Sequence, residues 1–305
     1  MRNNFINWLI AKSQSDNRIF LLTADLGYSV VEPFQKVFPN QFINVGVAEQ
    51  NMTGIAAGLA TEGFLPFTYS IGVFPTFRCA EQIRNDIDYH NLPVVTCTVG
   101  SGVAYGNLGY SHHAIQDISI MRSLPNMVIA TPADPSEVVA ILDWYYSNPC
   151  PMYLRLHKAG EPQIPHSLKD LKIGSLQHLN QDIVRANTPA ICIIVIGFLS
   201  KRVLEVVKDF SLPIDVYCLS LWGQPGREEF AKEISRFETI ITVEDHILEG
   251  GLASYTMEII STLDKNIKVI PVALTSETVG KVASEKTLLD PLFEKLRSLL
   301  YGLNR

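Results

Sequence analysis

The sequence predicts an α/β protein built from two doubly wound, mostly parallel sheets. Three observations carry this. Apolar runs of strand length alternate with segments of helical period along the whole chain. The 305 residues are enough for two domains, each with its own core. A stretch of mixed polarity with several prolines and no sustained period separates two such series. It places a first domain at 1–160, a linker at 161–188 and a second domain at 189–305. Hydrophobic residues at 47% and charged residues at 18% are ordinary for a globular protein. The net charge of −6 leaves no basic footprint, so nucleic acid is not an expected partner. No apolar run reaches the length of a membrane span. Cys79, Cys97, Cys150, Cys192 and Cys218 are scattered, with no Cys-x-x-Cys, as expected of free thiols in the cytoplasm.

In chain order, residues 5–11 form a short apolar piece interrupted by Asn7 and lacking a small-residue cleavage site, which reads as an amphipathic helix rather than a signal peptide. Residues 18–23 read as a strand ending in Ala24-Asp25-Leu26-Gly27. An Asp just past the carboxyl end of a strand sits where open α/β sheets bind ligands, although turns also favour Asp there. Residues 42–45 read as the end of a buried strand. From Gln50 the period changes, with Met52, Ile55, Ala56 and Leu59 on one helical face. Gly54, Ala57, Gly58 and Ala60 keep that helix thin, and Gly63 suits its C′ stop. Glu49 stands where strand gives way to helix. There the helix dipole stabilises a carboxylate and burial opposes it.

Residues 64–69 read as a strand, followed by a helix with Pro75 at its first position and running to Tyr89. Phe74 and Phe77, three apart on that helix, suit either a core or a flat ligand. Residues 93–98 form a strand leading to the glycine loop 100–113. Tyr105 breaks the dinucleotide fingerprint there. His112 and His113 are adjacent, so they cannot easily share a metal, and no third ligand stands at zinc-like spacing. The chain has neither a G-x-S-x-G elbow nor a P-loop. After a strand at 127–131, Asp134, Pro135 and Glu137 form a capping box for a helix to about 146. A strand at 152–156 carries Arg155. In the second domain, strands are expected at 190–196, 214–219, 240–243 and 267–271. Val243-Glu244-Asp245-His246 before Gly250-Gly251 reads as a polar strand end and a glycine-led helix start rather than as a catalytic pair.

Residues 45–60, with Val-Gly-Val-Ala-Glu-Gln-Asn-Met around Glu49 and then Gly54-Ile55-Ala56, resemble the pyrimidine-binding module of transketolases and 1-deoxyxylulose-5-phosphate synthases. The resemblance implies that Glu49 bonds N1′ of thiamine diphosphate and drives the aminopyrimidine to the imino form that removes the C2 proton. The organic chemistry is the cofactor's. It implies that Phe74 and Phe77 flank the ring, with Ile71 where the family has a third aromatic. It also implies that Asp25, in a family-like Ala-Asp-Leu, approaches the cofactor from the neighbouring subunit. Gly109-Tyr110-Ser111-His112 and Leu124-Pro125-Asn126-Met127 extend the resemblance. By it, His112 positions substrate hydroxyls and assists proton transfer, with His113 beside it. Arg2 and Arg155 would meet substrate phosphate, Arg155 in a bidentate way. Two positions depart from the family. Leu108 replaces an Asp that reads the hydroxyl at ketose C2, and Gly100 replaces a phosphate-binding His. An unusual substrate is therefore expected: deoxygenated, differently phosphorylated or nucleotide-linked.

The resemblance covers nearly the whole chain but only the second half of a full-length transketolase. The Gly-Asp-Gly and Asn pair that mark the diphosphate- and Mg²⁺-binding half are absent. The implied enzyme is split: this chain holds the pyrimidine side, and an N-terminal-type subunit holds the diphosphate and Mg²⁺. Two copies of each make an α2β2 heterotetramer. Its expected reaction moves a two-carbon ketol unit between sugar phosphates or modified sugars. The β-type subunit of a 2-oxoacid dehydrogenase is the rival enzyme, but it usually lacks both the Ala-Glu-Gln-Asn-Met wording and the His-His loop. A non-catalytic nucleotide-binding module is opposed by Glu49 with Phe74 and Phe77.

Overall fold

The computed structural model describes residues 1–165, 168, 170–180 and 191–303. Part of the expected linker, at 166, 167, 169 and 181–188, lies outside the described residues. The strands are β1 (Ile19–Thr23), β2 (Phe42–Asn44), β3 (Leu65–Ile71), β4 (Val95–Val99), β5 (Val128–Ala130), β6 (Met152–Leu156), β7 (Leu176–His178), β8 (Ile191–Val195), β9 (Asp215–Leu219), β10 (Leu221–Trp222), β11 (Thr239–Ile247) and β12 (Lys268–Leu274). The helices are α1 (Arg2–Ser13), α2 (Glu32–Val37), α3 (Glu49–Thr61), α4 (Val73–Arg78), α5 (Ala80–Gln82), α6 (Asp117–Met121), α7 (Pro135–Ser147), α8 (Leu199–Lys208), α9 (Arg227–Ile234), α10 (Leu252–Ile260) and α11 (Glu285–Leu303). Short 3₁₀ turns link several of them.

Among the described residues, one sheet runs β10-β5-β6-β4-β3-β1-β2 and the other β12-β11-β8-β9-β7. Every pairing is parallel except those of β10 and β7. The α/β class with two mostly parallel sheets is therefore the observed one. β4 and β6 are buried along their whole length, as a strand with helices on both faces requires. On one face α1 and α7 bring Phe5, Trp8, Leu9, Ile141 and Tyr145 against Phe67 and Leu154. On the other, Met52, Ala56, Ile83 and Ile118 form a core that continues through Trp222 to Ile194, Leu219 and Tyr255 of the second sheet.

Several elements differ from expectation. Strand β2 is a half-buried edge rather than a buried strand end, because β1 covers only one of its sides. The helix beginning at 73 does not run to Tyr89. It stops at Arg78, resumes as α5 and passes into a π-helical turn, Ile83–Asp88. Pro75 is its third residue, not its first. Inside the expected linker, β7 pairs antiparallel with β9, so this piece is sheet. Strand β10 leaves the second unit to pair antiparallel with β5. The stop at Gly63 is a Schellman motif: Gly63 N–H donates to Ala60 O and Phe64 N–H to Leu59 O, both at 3.1 Å, with Gly63 at φ +87°. The Asp134 cap also holds, accepting from Ser136 N–H and Glu137 N–H. No helix among the described residues is long and apolar enough to cross a membrane.

Candidate active site

The carboxyl ends of β1, β2, β3 and β4 deliver four segments side by side, in the crevice that open α/β sheets use for ligands. After β2, Asn44 ties its own loop to that of β1, its Oδ1 accepting from Asp25 N–H and Gly46 N–H at 3.0 Å. Gly46, at φ +71°, turns the chain into α3. Glu49 is the first residue of that helix and is 4% exposed. Arg78 Nη1 donates to its Oε1 at 2.8 Å. The carboxyl group opens on a concavity lined by Val47, Ala48, Gln50, Asn51 and Arg78.

Helix α4 follows β3. Its Arg78 guanidinium lies over the Phe74 ring at 4.5 Å. The i, i+4 spacing on one helical face makes that contact possible. Phe74 in turn meets His112 edge-on, with centroids 5.5 Å apart. Phe77 is 49% exposed. Gly72, just before the helix, has room for no side chain, since a Cβ there would stand 2.9 Å from that of Ala114. The α4 segment and the glycine loop are thereby held together.

The loop after β4 turns at Gly100, Gly102 and Gly109, all with positive φ. Gly102 and Ala114 exchange backbone hydrogen bonds across its neck. His112 is half-buried, with Nδ1 3.0 Å from Ser111 Oγ and its ring edge-on to Tyr105 at 6.4 Å. Glu49, Arg78, Phe74, His112 and Tyr105 thus form one chain of contacts. Asp25 is exposed, at φ +54°, and accepts from Tyr28 Oη at 3.0 Å. It does not touch Glu49. Arg2 lines a separate small cavity with Tyr105.

Two expected substrate contacts are buried within the fold. Arg155 is 2% exposed, and each of its nitrogens is engaged. Nε donates to Asp117 at 2.7 Å, Nη1 to Asp245, and Nη2 to Ala114 O at 2.8 Å. It cannot also clamp a phosphate. His113 is 1% exposed, and neither ring nitrogen has a hydrogen-bond partner among the described residues. Burial pushes its pKa below the ordinary value. His113 is a neutral core side chain rather than a substrate contact.

Sequence reasoning missed Arg78, Tyr105 and the buried group around Arg155. Arg78 could have been found from its spacing to Phe74. The Asp117–Arg155–Asp245 group joins three distant segments and leaves no local signal. Tyr153 Oη donates to Asp117 at 2.8 Å and meets Thr76 of α4 at 3.1 Å, so the group also braces the Phe74 helix. In β11, Glu244 accepts from Leu252 N–H and Ala253 N–H at 2.6 and 2.9 Å, capping α10. Burial pushes Glu244 up to about 8 even so. Among the described residues, no group of His, Cys, Asp or Glu side chains is placed to hold a metal ion.

The chain is similar to several known proteins. Residues 1–162 match the family described as transketolase, pyrimidine binding domain. A protein of Methanocaldococcus jannaschii named as a transketolase C-terminal section is 30% identical over 95% of this chain and 90% of its own length. The 1-deoxy-D-xylulose-5-phosphate synthase of Clostridium kluyveri is 28% identical over 89% of this chain, which spans only 43% of that enzyme. A solved structure described as a split gene transketolase, inactive β4 tetramer, superposes with a TM-score of 0.82 at 29% identity, covering 100% of this chain and 98% of that one. With the domain match and the archaeal relative in agreement, the chain belongs to the transketolase family, as a transketolase-type subunit of the C-terminal-section kind.

Proposed function

We propose that this chain is the pyrimidine-side subunit of a split, thiamine-diphosphate-dependent transketolase that moves a two-carbon ketol unit between sugars or sugar derivatives. The observation that carries this is the placement of Glu49: buried at the start of α3, bonded to Arg78, and open to a concavity at the strand ends. These residues fit an aminopyrimidine. A buried carboxyl group at a helix N-terminus can share a proton with a ring nitrogen, donating it to the neutral ring or accepting from the protonated one, and Phe74 and Phe77 offer apolar faces for the ring. When bound, thiamine diphosphate supplies the nucleophilic carbon and the electron sink for ketol transfer.

The chain's own residues then divide the work. Glu49 holds a proton at N1′ of the pyrimidine. Phe74 and Phe77 set the plane of the ring, and Asp25 meets the cofactor held by a neighbouring subunit. His112, half-open beside Phe74, bonds the substrate hydroxyls and moves a proton there. Arg2 meets the far end of the substrate. Mg²⁺ and the diphosphate are held by an N-terminal-type partner in an α2β2 assembly. The structural relative formed by one kind of chain is described as an inactive β4 tetramer, which supports the need for a second kind. Residues 1–160 act as the pyrimidine-binding domain and 189–305 as the C-terminal-like domain. The five free cysteines suit the cytoplasm.

The test is Glu49→Gln in the assembled enzyme. Proton exchange at C2 of the bound cofactor should be lost while the far-UV spectrum is retained. Exchange at the parent rate would remove Glu49 from the relay and overturn the reading.

A further inference from the structure

Strand β11 does not keep its register to the end. Val243 pairs with Val272 and Ile247 with Leu274, so Glu244, Asp245 and His246 stand opposite Ala273 alone. Such a bulge re-aims side chains, and bulges recur beside active sites. All three residues of this one are fully buried. Glu244 turns back to cap α10. The rest of the strand end meets the first unit. His246 Nδ1 donates to Ile247 O at 2.6 Å, which leaves Nε2 to accept from Ser119 N–H at 3.4 Å. Ile247 N–H donates to Ile115 O at 3.1 Å.

Asp245 reaches furthest. Its Oδ1 accepts from Arg155 Nη1, and its carboxyl group lies in the space that a side chain on Gly102 would take. Arg155 Nη2 donates to Ala114 O at 2.8 Å. Gly102 and Ala114 are the two sides of the neck of the glycine loop, each donating its N–H to the other's carbonyl. Asp245 therefore bears on both sides, directly at Gly102 and through Arg155 at Ala114, just after His112 and His113. Two acids, Asp117 and Asp245, share the one guanidinium, and one oxygen of each has no hydrogen-bond partner among the described residues. An unpaired buried oxygen costs stability, and Asp117 alone would keep Arg155 paired. Stability gives no reason for Asp245; its seat against the loop neck does.

We propose that Asp245 is a positioning residue for the sugar side of the site: it fixes the neck of the glycine loop and so the place of the His112 ring, touching no substrate itself. The proposal rests on the reading above that His112 meets the substrate hydroxyls, and it gives the second unit a part in the reaction. Removing Asp245 leaves Asp117 on Arg155 and Tyr153 on Asp117, so α4 keeps its brace on the Glu49 side. Displacing a positioned group costs rate steeply. Loss of Asp245 should therefore separate the steps served by His112 from the proton exchange served by Glu49.

The His112 ring is edge-on to Phe74 and Tyr105, so its carbon-bound protons sense both rings in the NMR spectrum of the full chain with isotope-labelled histidine. The signal is identified by its absence in His112→Asn. It should move or broaden in Asp245→Ala. In Asp245→Asn, which keeps an acceptor for Arg155 and the bulk against Gly102, it should return to the parent position. In the assembled enzyme, kcat for the ketose it turns over should fall at least tenfold in Asp245→Ala and recover to within threefold of the parent in Asp245→Asn. Exchange at C2 of bound thiamine diphosphate should stay within threefold in both. Asp245→Ser serves the same test where the alanine variant does not fold. An unmoved His112 signal or a parent-like kcat in a folded variant overturns the proposal. So does a fall in C2 exchange equal to that in kcat, which marks a general loss of the site. A parent-like kcat in His112→Asn would instead overturn the reading of His112, and the His112 signal would still decide whether Asp245 holds the loop.

Discussion

Arg78 touches both halves of the proposed pyrimidine site. It donates to Glu49 at 2.8 Å and covers the face of Phe74 at 4.5 Å. Its side chain is 51% exposed while that of Glu49 is 5% exposed, so solvent weakens the pair as a source of stability, to about 0–1 kcal/mol. Its value lies in orientation. Arg78→Met keeps the length and loses the charge, leaving Glu49 without its bonded cation. The expected outcome is a C2 exchange rate down about tenfold, equivalent to roughly 1.4 kcal/mol. The melting temperature should stay within about 2 °C of the parent. Unchanged exchange would make Arg78 a bystander. At this scale Glu49, Phe74 and His112 could be singled out from the sequence because short motifs carry them. The burial of His113 was not legible, because His112 closes a 3₁₀ turn and meets Phe74 while His113, extended just after it, lies in the core.

Strand β6 shows what an element hides. Its five residues are all buried, and a strand covered on both faces has no polar side to announce where Arg155 points. The strand itself was legible to the residue, and the destination of its arginine was not. Just past its end, His157 stacks on Phe198 at 3.8 Å and bonds Glu161 and Glu285, joining β6 to the start of α11. Burial alone would lower the His157 pKa. Hydrogen bonds to the two carboxylates outweigh it, and the folded value stands above the ordinary 6.5. Burial likewise raises Glu161, but His157 and the chain's amino terminus bring it down to about 2. A raised histidine contributes stability that is full below its unfolded pKa and is lost as pH rises through the folded one. A lowered glutamate contributes above its unfolded 4.5 and fades as pH falls toward about 2. The cluster is therefore strongest between about 4.5 and 6.5. Thermal melts from pH 6 upward should show stability declining past 6.5, and His157→Gln should flatten that decline. Parallel curves for the two proteins would remove His157 from the linkage.

For the whole molecule, the alternation of elements was enough to read two sheets. The way the two units grip each other was not legible, because it depends on contacts between distant segments. Gly102 leaves room for the carboxylate of Asp245, Gly106 for the backbone at Ala283, and Gly109 for Val282 at 3.0 Å. The second unit thus braces the loop that carries His112, and Arg122 bonds Glu258 at 2.7 Å from the other side. The opposite wall of the site is open: Val47 and Phe77, beside Glu49, are 75% and 49% exposed. Apolar side chains at the mouth of a half-walled concavity are the expected face for a partner that completes it. The diphosphate needs a metal ion and oxygen donors, which no cluster among the described residues offers. The purified chain should therefore turn over no ketose and bind thiamine diphosphate weakly. Addition of an N-terminal-type subunit should give tight, Mg²⁺-dependent binding and activity together, at a 2:2 mass by light scattering. Chelation of the metal should then release the cofactor without unfolding this chain, because no cluster among the described residues is placed to hold a metal. Ketose turnover by this chain alone with added cofactor would show that the site needs no second wall, and the split architecture would have to be abandoned.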